Sequence, residues 1–325
     1  MKSVFRLQVP GIFLGGILCT GVCAQSFPSQ PLRLIVPYTP GAATDAIARP
    51  LAQGLGEALG QNVLVEHRPG GNTIVGAEQA ARAKPDGHTL LLATVSTLGV
   101  NPAAYKNLSY DVVKDFDPVA KVASSYHVVV ARTGFAPNSI AELVAYAKAN
   151  PGRLTYGTTG VGSSLHFAML LLESAAGIKM LHVPYKGSAD VVTALLGNQI
   201  DISPIGPASA QGTIKQGRLK ALAATSERRF STYPDLPTMI ELGYPGFMTG
   251  AWYCVVTRSG APASVISRLN RDINKVLQLP TVRTPLEADG VTVEGNMTSA
   301  ELGKFIGDEM RKWAKIIKDA NIQLE

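Results

Sequence analysis

Short apolar runs alternate with longer amphipathic runs along the first third of the chain. Each apolar run has the length of a buried strand, and each amphipathic run repeats its apolar residues at helical spacing. Strands and helices that alternate in this way predict βαβ units around a mostly parallel sheet. The predicted elements are a strand at 32–36, a helix ending near 59, a strand at 63–66, a helix ending near 83 and a strand at 89–94.

A second α/β set is predicted after residue 127. Its first helix, 139–150, begins with Ser139 and Glu142 at the spacing of a capping box. The other predicted elements are a strand at 154–157, a helix from Ser164, and strands at 180–183, 200–203 and 219–224. Segments 119–132 and 247–258 are predicted to cross between the two sets. Amphipathic helices after Pro262 and Thr298 then return to the first set, the second with Glu301 completing a capping box.

The first 24 residues have the pattern of a secretory signal. Lys2 and Arg6 precede an apolar segment of about ten residues, and the sequence VCA at 22–24 is similar to an A-x-A cleavage site. The alternatives are a membrane anchor, for which about 20 apolar residues are needed, and lipid attachment at Cys19 or Cys23. We expect cleavage after Ala24 and a location in the periplasm.

Cleavage leaves about 300 residues, which predicts two domains. We expect domain 1 to be discontinuous, 25–126 with 251–325, and domain 2 to span 127–250. Cys254 is then the single cysteine, so an internal disulfide is excluded. The net charge of +6 comes from scattered Lys and Arg, and a basic stripe for nucleic acid is missing. The five histidines lack metal-ligand spacing, so we expect no metal site. We also expect a monomer without a cofactor.

The first candidate site is the stretch VPYTPGAATD at 36–45. Ligands of open α/β sheets bind beyond the carboxyl ends of the strands, where this stretch lies. The small residues Gly41 and Ala42 let a ligand approach the main chain, and the first N–H groups of the following helix attract a carboxylate. Tyr38, Thr39 and Thr44 add hydroxyl groups. The alternative is a tight turn in which Thr44 or Asp45 caps the helix.

The second candidate is TYGTTGVGSSLH at 155–166. It lacks the Lys of a phosphate-binding P-loop and the order G-x-G-x-x-G, and it is not a G-x-S-x-G nucleophile elbow. What remains is a glycine loop followed by a hydroxyl-rich helix start, which predicts a polar or anionic ligand. His166 either faces the same space or packs within domain 2.

Other candidates are weaker. In VPYKGSAD at 183–190, Lys186 is a cation in a candidate loop or a solvated surface lysine. Asp201 either accepts a hydrogen bond from a ligand or ties down a neighbouring loop. Thr94 ends the strand at 89–94 and Ser96 follows it. Gly70, Gly71 and Asn72, in the turn RPGGN at 68–72, are candidates of the same rank. Ser163, His166 and Asp201 contain the residue types of a hydrolytic triad, but the sequence supplies no geometry for one.

Together these stretches resemble one family, and the resemblance covers nearly the whole mature chain in order. VPYTPGAATD, EHRPGGNTIVGAEQAA, TYGTTGVGSSLHF, HVPYKGSADVVTALLGNQID and YPDLPTMIELGYPGF are similar to the periplasmic solute receptors of tripartite tricarboxylate transporters, the Bug family. The resemblance implies a type II periplasmic binding-protein fold: two α/β domains joined by two crossing strands, with a ligand cleft between them. It also implies a small carboxylate as ligand, and a small and a large membrane subunit as partners.

Carried over by position, the resemblance assigns ligand contacts to both domains. The residues are Tyr38, Thr39, Gly41, Ala42, Thr44 and Asp45, then Thr158, Gly160, Ser163, Ser164 and His166, with Tyr185, Lys186, Gly187 and Asp201. His67 departs from the Asn usual in the family. The predicted function is capture of a small organic acid by domain closure for transport, without enzymatic activity. A ligand-sensing subunit of a signalling receptor and a secreted serine hydrolase are the alternatives.

Overall fold

The computed structural model describes residues 27–40, 43–185, 187–230, 232–288 and 290–319. Its strands are β1 (Leu32–Val36), β2 (Val63–His67), β3 (Thr89–Thr94), β4 (Phe116–Tyr126), β5 (Val128–Arg132), β6 (Thr155–Thr158), β7 (Leu181–Pro184), β8 (Ile202–Ile205), β9 (Leu219–Ala224), β10 (Gly250–Arg258) and β11 (Thr292–Val293). The predicted signal segment lies outside the described residues.

The helices lie between these strands and after them. They are α1 (Ala43–Leu59), α2 (Ile74–Ala81), α3 (Asn101–Ala104), α4 (Val112–Asp115), α5 (Ile140–Ala149), α6 (Ser164–Ala176), α7 (Ser188–Leu196), α8 (Pro207–Lys215), α9 (Ala263–Val276), α10 (Pro280–Ala288) and α11 (Ser299–Asp319), with a π-helical turn at Ser96–Val100. None of the described helices is long and apolar enough to cross a membrane.

The first sheet has six strands in the order β11-β4-β10-β3-β1-β2, and we call it, with the helices packed on it, domain 1. β1 is parallel to β2 and β3, whereas β10 is antiparallel to β3 and β4. Helices α1 and α9 cover one face, and α2 and α11 cover the other. Because both faces are covered, all six residues of β3 are buried.

The second sheet has five strands in the order β7-β6-β8-β5-β9, and with its helices it forms domain 2. β6 is parallel to β7 and β8, and β5 is antiparallel to β8 and β9. Helices α5 and α6 cover one face, and α7 and α8 cover the other. The predicted alternation of strands and helices is therefore confirmed. The prediction of a mostly parallel sheet is wrong, because the crossing strands β4, β5 and β10 pair antiparallel with their neighbours and make both sheets mixed. The exact domain limits stay a prediction.

The two crossings lie side by side and are joined through Thr225. One residue, His127, separates β4 from β5, and its N–H donates to the hydroxyl of Thr225 at 2.8 Å. That hydroxyl in turn donates to the carbonyl of Thr249, directly before β10, at 2.6 Å. Gly250 is required here, since a Cβ at this position would lie 2.4 Å from the carbonyl oxygen of Ser125. We call these two crossing segments, at His127 and at Thr249 and Gly250, the hinge between the domains.

Both predicted capping boxes are present, in slightly different forms. At α11 the pair is reciprocal: the N–H of Thr298 donates to Glu301 Oε2 at 2.8 Å, and the N–H of Glu301 donates to Thr298 Oγ1 at 3.2 Å. At α5 the Ser139 hydroxyl accepts from the N–H of Glu142. The Glu142 carboxylate accepts from the N–H of Asn138, one residue before the cap.

Candidate functional site

A cleft of about 400 Å³ lies between the domains, at the carboxyl ends of β1, β3 and β6. Its volume is in the range of small-molecule sites. Domain 1 contributes Tyr38, Thr44, Asn72, Thr94, Val95, Ser96, Ala251 and Tyr253, and domain 2 contributes Thr159, Val161, Ser163 and Ser164. Six of the predicted site residues meet there, namely Tyr38, Thr44, Thr94, Ser96, Ser163 and Ser164.

Hydroxyl groups at the ends of β1 and β3 form the floor of the cleft. Tyr38 Oη lies 3.2 Å from Thr94 Oγ1, and burial raises the pKa of Tyr38. The phenol therefore stays protonated and serves as a neutral donor. Thr94 Oγ1 lies 3.3 Å from Thr97 Oγ1, and Thr97 donates to Thr73 at 3.0 Å. This chain of hydrogen bonds fixes the orientation of the hydroxyl groups at the floor of the cleft.

The turn at 70–73 is held in a strained conformation beside the cleft. Asn72 and Thr73 both have left-handed backbone angles, with φ of 49° and 78°, which is unfavourable for a β-branched residue. Asn101 holds the turn: its amide nitrogen donates to the carbonyl of Asn72 at 2.8 Å, and its amide oxygen accepts from the Asn72 side chain at 2.9 Å. Asn72 is thereby placed in the cleft wall.

Among the described residues of the first loop, Thr44 has the side chain best placed to contact a ligand. It lies in the first turn of the 17-residue helix α1, and 4% of it is exposed. Its hydroxyl is buried and has no hydrogen-bond partner among the described residues. An unpaired buried hydroxyl is costly, and this one lines the cleft at a helix N-terminus, where anions are favoured.

Asp45, predicted as a ligand contact, instead faces other parts of domain 1. Its Oδ2 lies 2.9 Å from Arg49 Nε, and its Oδ1 lies 3.1 Å from His67 Nε2. The other ring nitrogen of His67 lies 3.0 Å from the carbonyl oxygen of Tyr38. Asp45 and His67 therefore fasten the first loop to β2. Thr39 is exposed outside the cleft lining, and Gly41 and Ala42 lie outside the described residues.

The second loop is closed by its own hydrogen bonds. Gly160 has φ of 115°, a conformation that favours glycine. Its N–H donates to Thr158 Oγ1 at 3.2 Å. Ser163 is the N-cap of α6: its hydroxyl donates to the carbonyl of Gly160 at 2.8 Å and accepts from the N–H of His166 at 3.2 Å. Thr158 and Gly160 thus hold the conformation of the loop but do not line the cleft themselves.

His166 packs within domain 2, as the alternative interpretation held. Its ring is stacked on His182 with centroids 4.1 Å apart, and its Nδ1 accepts from the N–H of Gly162 at 3.2 Å. Burial lowers the pKa of His166 to about 4, with the neighbouring His182 adding to the shift. Both imidazoles are therefore neutral at pH 7, since burial also lowers the pKa of His182.

Asp201 lies at the opposite end of domain 2 from the cleft. It precedes β8, and its carboxylate accepts from Arg132 at 2.9 Å and from the N–H and hydroxyl of Thr155 at 3.0 and 2.9 Å. Thr155 begins β6, whereas the cleft lies beyond the other end of that strand. Asp201 is therefore the tie between neighbouring segments that the sequence allowed as an alternative.

Two further predicted contacts lie outside the cleft lining. Tyr185 packs against the domain 2 core, and Gly187 is the N-cap position of α7. Lys186 lies outside the described residues. The hydrolytic arrangement is not assembled, because the ring of His166 is bonded to the N–H of Gly162 and Asp201 is bonded to Arg132 and Thr155 at the other end of domain 2. No group of three or more His, Cys, Asp or Glu side chains suited to a metal was found among the residues that the structure describes.

The sequence analysis missed five lining residues: Val95, Thr159, Val161, Ala251 and Tyr253. Ala251 and Tyr253 lie two residues apart in β10, so they share one face of a strand that was itself predicted. This two-residue spacing is the only sequence signal that could have identified them. It shows that Ala251 and Tyr253 share one face of the strand, but not that this face meets the cleft.

A larger cavity of about 520 Å³ lies beside the hinge, but its charges suit an acid poorly. It is lined by Glu227, Glu287 and Glu294 as well as Arg228 and Arg229. Arg229 is already paired with Glu241 at 3.0 Å. We therefore take the cleft of hydroxyls, and not this cavity, as the candidate functional site.

The fold and the cleft define a two-domain solute-binding protein. The family model described as tripartite tricarboxylate transporter family receptor matches residues 47–322, and the chain belongs to this family. It is similar to Protein BugT of Bordetella pertussis, with 34% identity over 327 residues and 100% of each chain covered. A second relative, the UPF0065 protein in the tcbD-tcbE intergenic region of a Pseudomonas species, is 36% identical over 294 residues, which are 90% of this chain and 87% of that protein.

Solved structures of similar sequence support the same conclusion. The periplasmic binding protein BugD is 33% identical with a TM-score of 0.74, over 92% of this chain and 100% of BugD. MatC from Rhodopseudomonas palustris, solved with bound malate, is 29% identical with a TM-score of 0.74, over 90% and 100%. R. palustris Rpa4515 with adipate is 28% identical with a TM-score of 0.77, over 91% and 99%. The predicted type II periplasmic binding-protein fold is confirmed, in a family of receptors and not of enzymes.

Proposed function

We propose that this protein captures a small organic carboxylate in the periplasm by closing its two domains around the cleft. The observation that carries the proposal is the buried, unpartnered hydroxyl of Thr44, which lines the cleft at the start of α1. A ligand oxygen there gains the hydroxyl, the N-terminal N–H groups of the helix and its dipole.

The donors around the cleft are neutral, so the binding of an anion relies on hydrogen bonds. Tyr38, Thr44, Ser96 and Ser164 supply hydroxyls from both domains. Hydrogen bonds to a charged group contribute about 1.5 to 3 kcal/mol each, and micromolar affinity corresponds to about −8 kcal/mol. A few such bonds, formed together only when the domains close, account for binding in this range.

Thermal unfolding tests the proposal directly. The mature protein is refolded to remove bound ligand and then scanned against carboxylic acids, amino acids and sugars. A ligand at about 100 times its dissociation constant adds about 2.7 kcal/mol. We expect carboxylates to raise the unfolding midpoint and sugars to leave it unchanged. A protein that folds cooperatively and responds to sugars alone, or to no carboxylate, would contradict the proposal.

Delivery to a small and a large membrane subunit is the second part of the proposal, and it is supported by membership of the receptor family. The expected outcome is that cells lacking this protein lose uptake of the acid identified in the thermal scan. Restoration by the wild-type gene, together with membrane fractions that retain the protein only when the acid is present, would support delivery. Normal uptake in the deletion strain would count against it.

A further inference from the structure

The ring of His67 lies beside the first loop, between two hydrogen-bond acceptors. His67 is the last residue of β2. Its Nδ1 lies 3.0 Å from the carbonyl oxygen of Tyr38. Its Nε2 lies 3.1 Å from Asp45 Oδ1, and both atoms of this second contact are closed to water. A neutral imidazole has one N–H and one lone pair, so it would turn a lone pair toward one of the two oxygens.

The surroundings of Asp45 favour its ionised form. Its Oδ2 lies 2.9 Å from Arg49 Nε, and it lies in the first turn of α1, where the helix dipole stabilises a negative charge. On either side of His67 in the chain, Glu66 and Arg68 pair with each other at 3.3 Å, so together they add little net charge. An imidazolium, with an N–H on each nitrogen, satisfies both the carboxylate and the carbonyl.

The charge on His67 bears on ligand binding because Asp45 directly follows Thr44. The Asp45 carboxylate shares the N-terminus of α1 with the carboxylate of the proposed ligand, and two anions there repel each other. Arg49 offsets little of this repulsion, since 63% of its side chain is exposed and water screens it. The side chain of His67 is only 15% exposed, so its charge is screened much less.

We propose that a protonated His67 is a positioning residue: it neutralises Asp45, lets the start of α1 accept a carboxylate, and makes ligand affinity fall as the pH rises. This role in binding rests on the proposed function. The charge on His67 rests on its contacts alone and can be measured without a ligand.

The other titratable groups around the cleft do not produce this pH dependence. Among the described lining residues only Tyr38 and Tyr253 titrate, and burial raises the pKa of both. Behind the second loop, burial lowers the pKa of His166 and of His182. Both rings are therefore already neutral at about pH 7, and a further rise in pH leaves their charge unchanged.

Nitrogen-15 NMR of the unliganded protein tests the charge directly, because the two ring nitrogens of an imidazolium resonate close together and those of a neutral ring far apart. Loss of a signal in His67→Asn assigns it, and correlation with the backbone assigns it if that variant does not fold. We expect both nitrogens of His67 to carry protons at about pH 6.5 and one to lose its proton as the pH rises to about 9. A ring that is already neutral at about pH 6.5 overturns the proposal.

Calorimetry across pH tests the consequence for binding. The probe is whichever of hexanoate, adipate and benzoate raises the unfolding midpoint most, since all three are ionised above about pH 6.5. We expect the wild type to bind it about tenfold more weakly at about pH 9 than at about pH 6.5. His67→Asn should show the weaker affinity at both pH values. His88→Asn makes the same change beside Asp86, before β3 and outside the cleft lining, and should keep the wild-type profile.

The possible outcomes separate the two proposals. Binding that is equally tight at both pH values in the wild type overturns the role of His67 and leaves the proposed function standing. A pH dependence that persists in His67→Asn belongs to another group and overturns it as well. Binding of none of the three acids, together with failure of every carboxylate in the thermal scan, overturns the proposed function and the role in binding, whereas the NMR result still decides the charge on His67.

Discussion

The ring of Phe167 in domain 2 lies edge-on to the indole of Trp313 in domain 1, with centroids 4.8 Å apart and planes inclined by 63°. Phe167 is in the first turn of α6, three residues after Ser164, which lines the cleft. The helix that lines the cleft therefore also carries a contact between the domains. A shift of α6 on ligand binding would change the surroundings of Trp313.

Tryptophan fluorescence is expected to report closure. The chain has two tryptophans, and both donate their indole N–H to Glu309 Oε2, Trp252 at 2.7 Å and Trp313 at 3.0 Å. Only Trp313 is in contact with Phe167 among the ring pairs of the described residues. We expect a bound carboxylate to change the emission, Trp313→Phe to remove most of this change, and Trp252→Phe to keep it. An undiminished change in Trp313→Phe would show that the signal arises elsewhere.

Asp201→Asn is expected to lower stability without changing ligand affinity. The substitution weakens the bonds to Arg132 and Thr155, far from the cleft, and the free energy of unfolding should fall by about 1 to 3 kcal/mol. Urea unfolding measures this, and calorimetry with a bound acid measures affinity. Asp190→Asn, at an exposed position of α7, serves as control and should stay within about 0.5 kcal/mol of the wild type. A large loss of affinity in Asp201→Asn would show that Asp201 contributes to ligand binding after all.

The hinge histidine predicts a pH dependence of stability. His127 is 5% exposed, and burial lowers its pKa from 6.5 to about 4. Between these values the unfolded chain binds a proton that the folded protein does not, so stability rises with pH there. The stability is complete above about pH 6.5 and is lost as the pH falls toward 4, by about 3 kcal/mol at most for this residue.

His127→Leu isolates this contribution. Neither ring nitrogen of His127 has a hydrogen-bond partner among the described residues, so an apolar side chain of similar size removes a titrating group and no hydrogen bond. We expect the slope of unfolding free energy against pH, between pH 4 and 6.5, to fall by up to one proton. An unchanged slope would mean that His127 is not the group that titrates. His166 keeps its own contribution of the same sign in this variant, since burial lowers its pKa as well.

The fold was predictable because its local signals agree with one another. The apolar runs at 32–36, 89–94 and 219–224 were found at the same bounds as strands. The capping boxes fixed the starts of α5 and α11, since side chains satisfy the first N–H groups of a helix. The second crossing was predicted from the segment 247–258, whose length and apolar character are those of a strand. Most of this segment forms β10.

The site was predictable only in part, because its geometry depends on contacts distant in sequence. The sequence shows where strands begin and end. It does not show which end of a strand faces the partner domain, because sheet order sets this. For this reason Asp201, which lies at the end of domain 2 away from the cleft, was predicted as a ligand contact. The left-handed conformation of Thr73 depends on Asn101, 28 residues away, whose side-chain amide lies 3.3 Å from the Thr73 hydroxyl. Sequence patterns contain neither piece of information.

The most direct test of the account compares Thr44→Val with the wild type by calorimetry, using the carboxylate that gives the largest shift in the thermal scan. The hydroxyl has no partner within the described protein, so its removal should leave the unfolding free energy of the unliganded protein unchanged or slightly higher. Affinity should fall about tenfold or more. Thr193→Val, the same change at an exposed position of α7, should leave affinity unchanged. If Thr44→Val binds the acid within about twofold of the wild type, the first turn of α1 is not where the carboxylate binds.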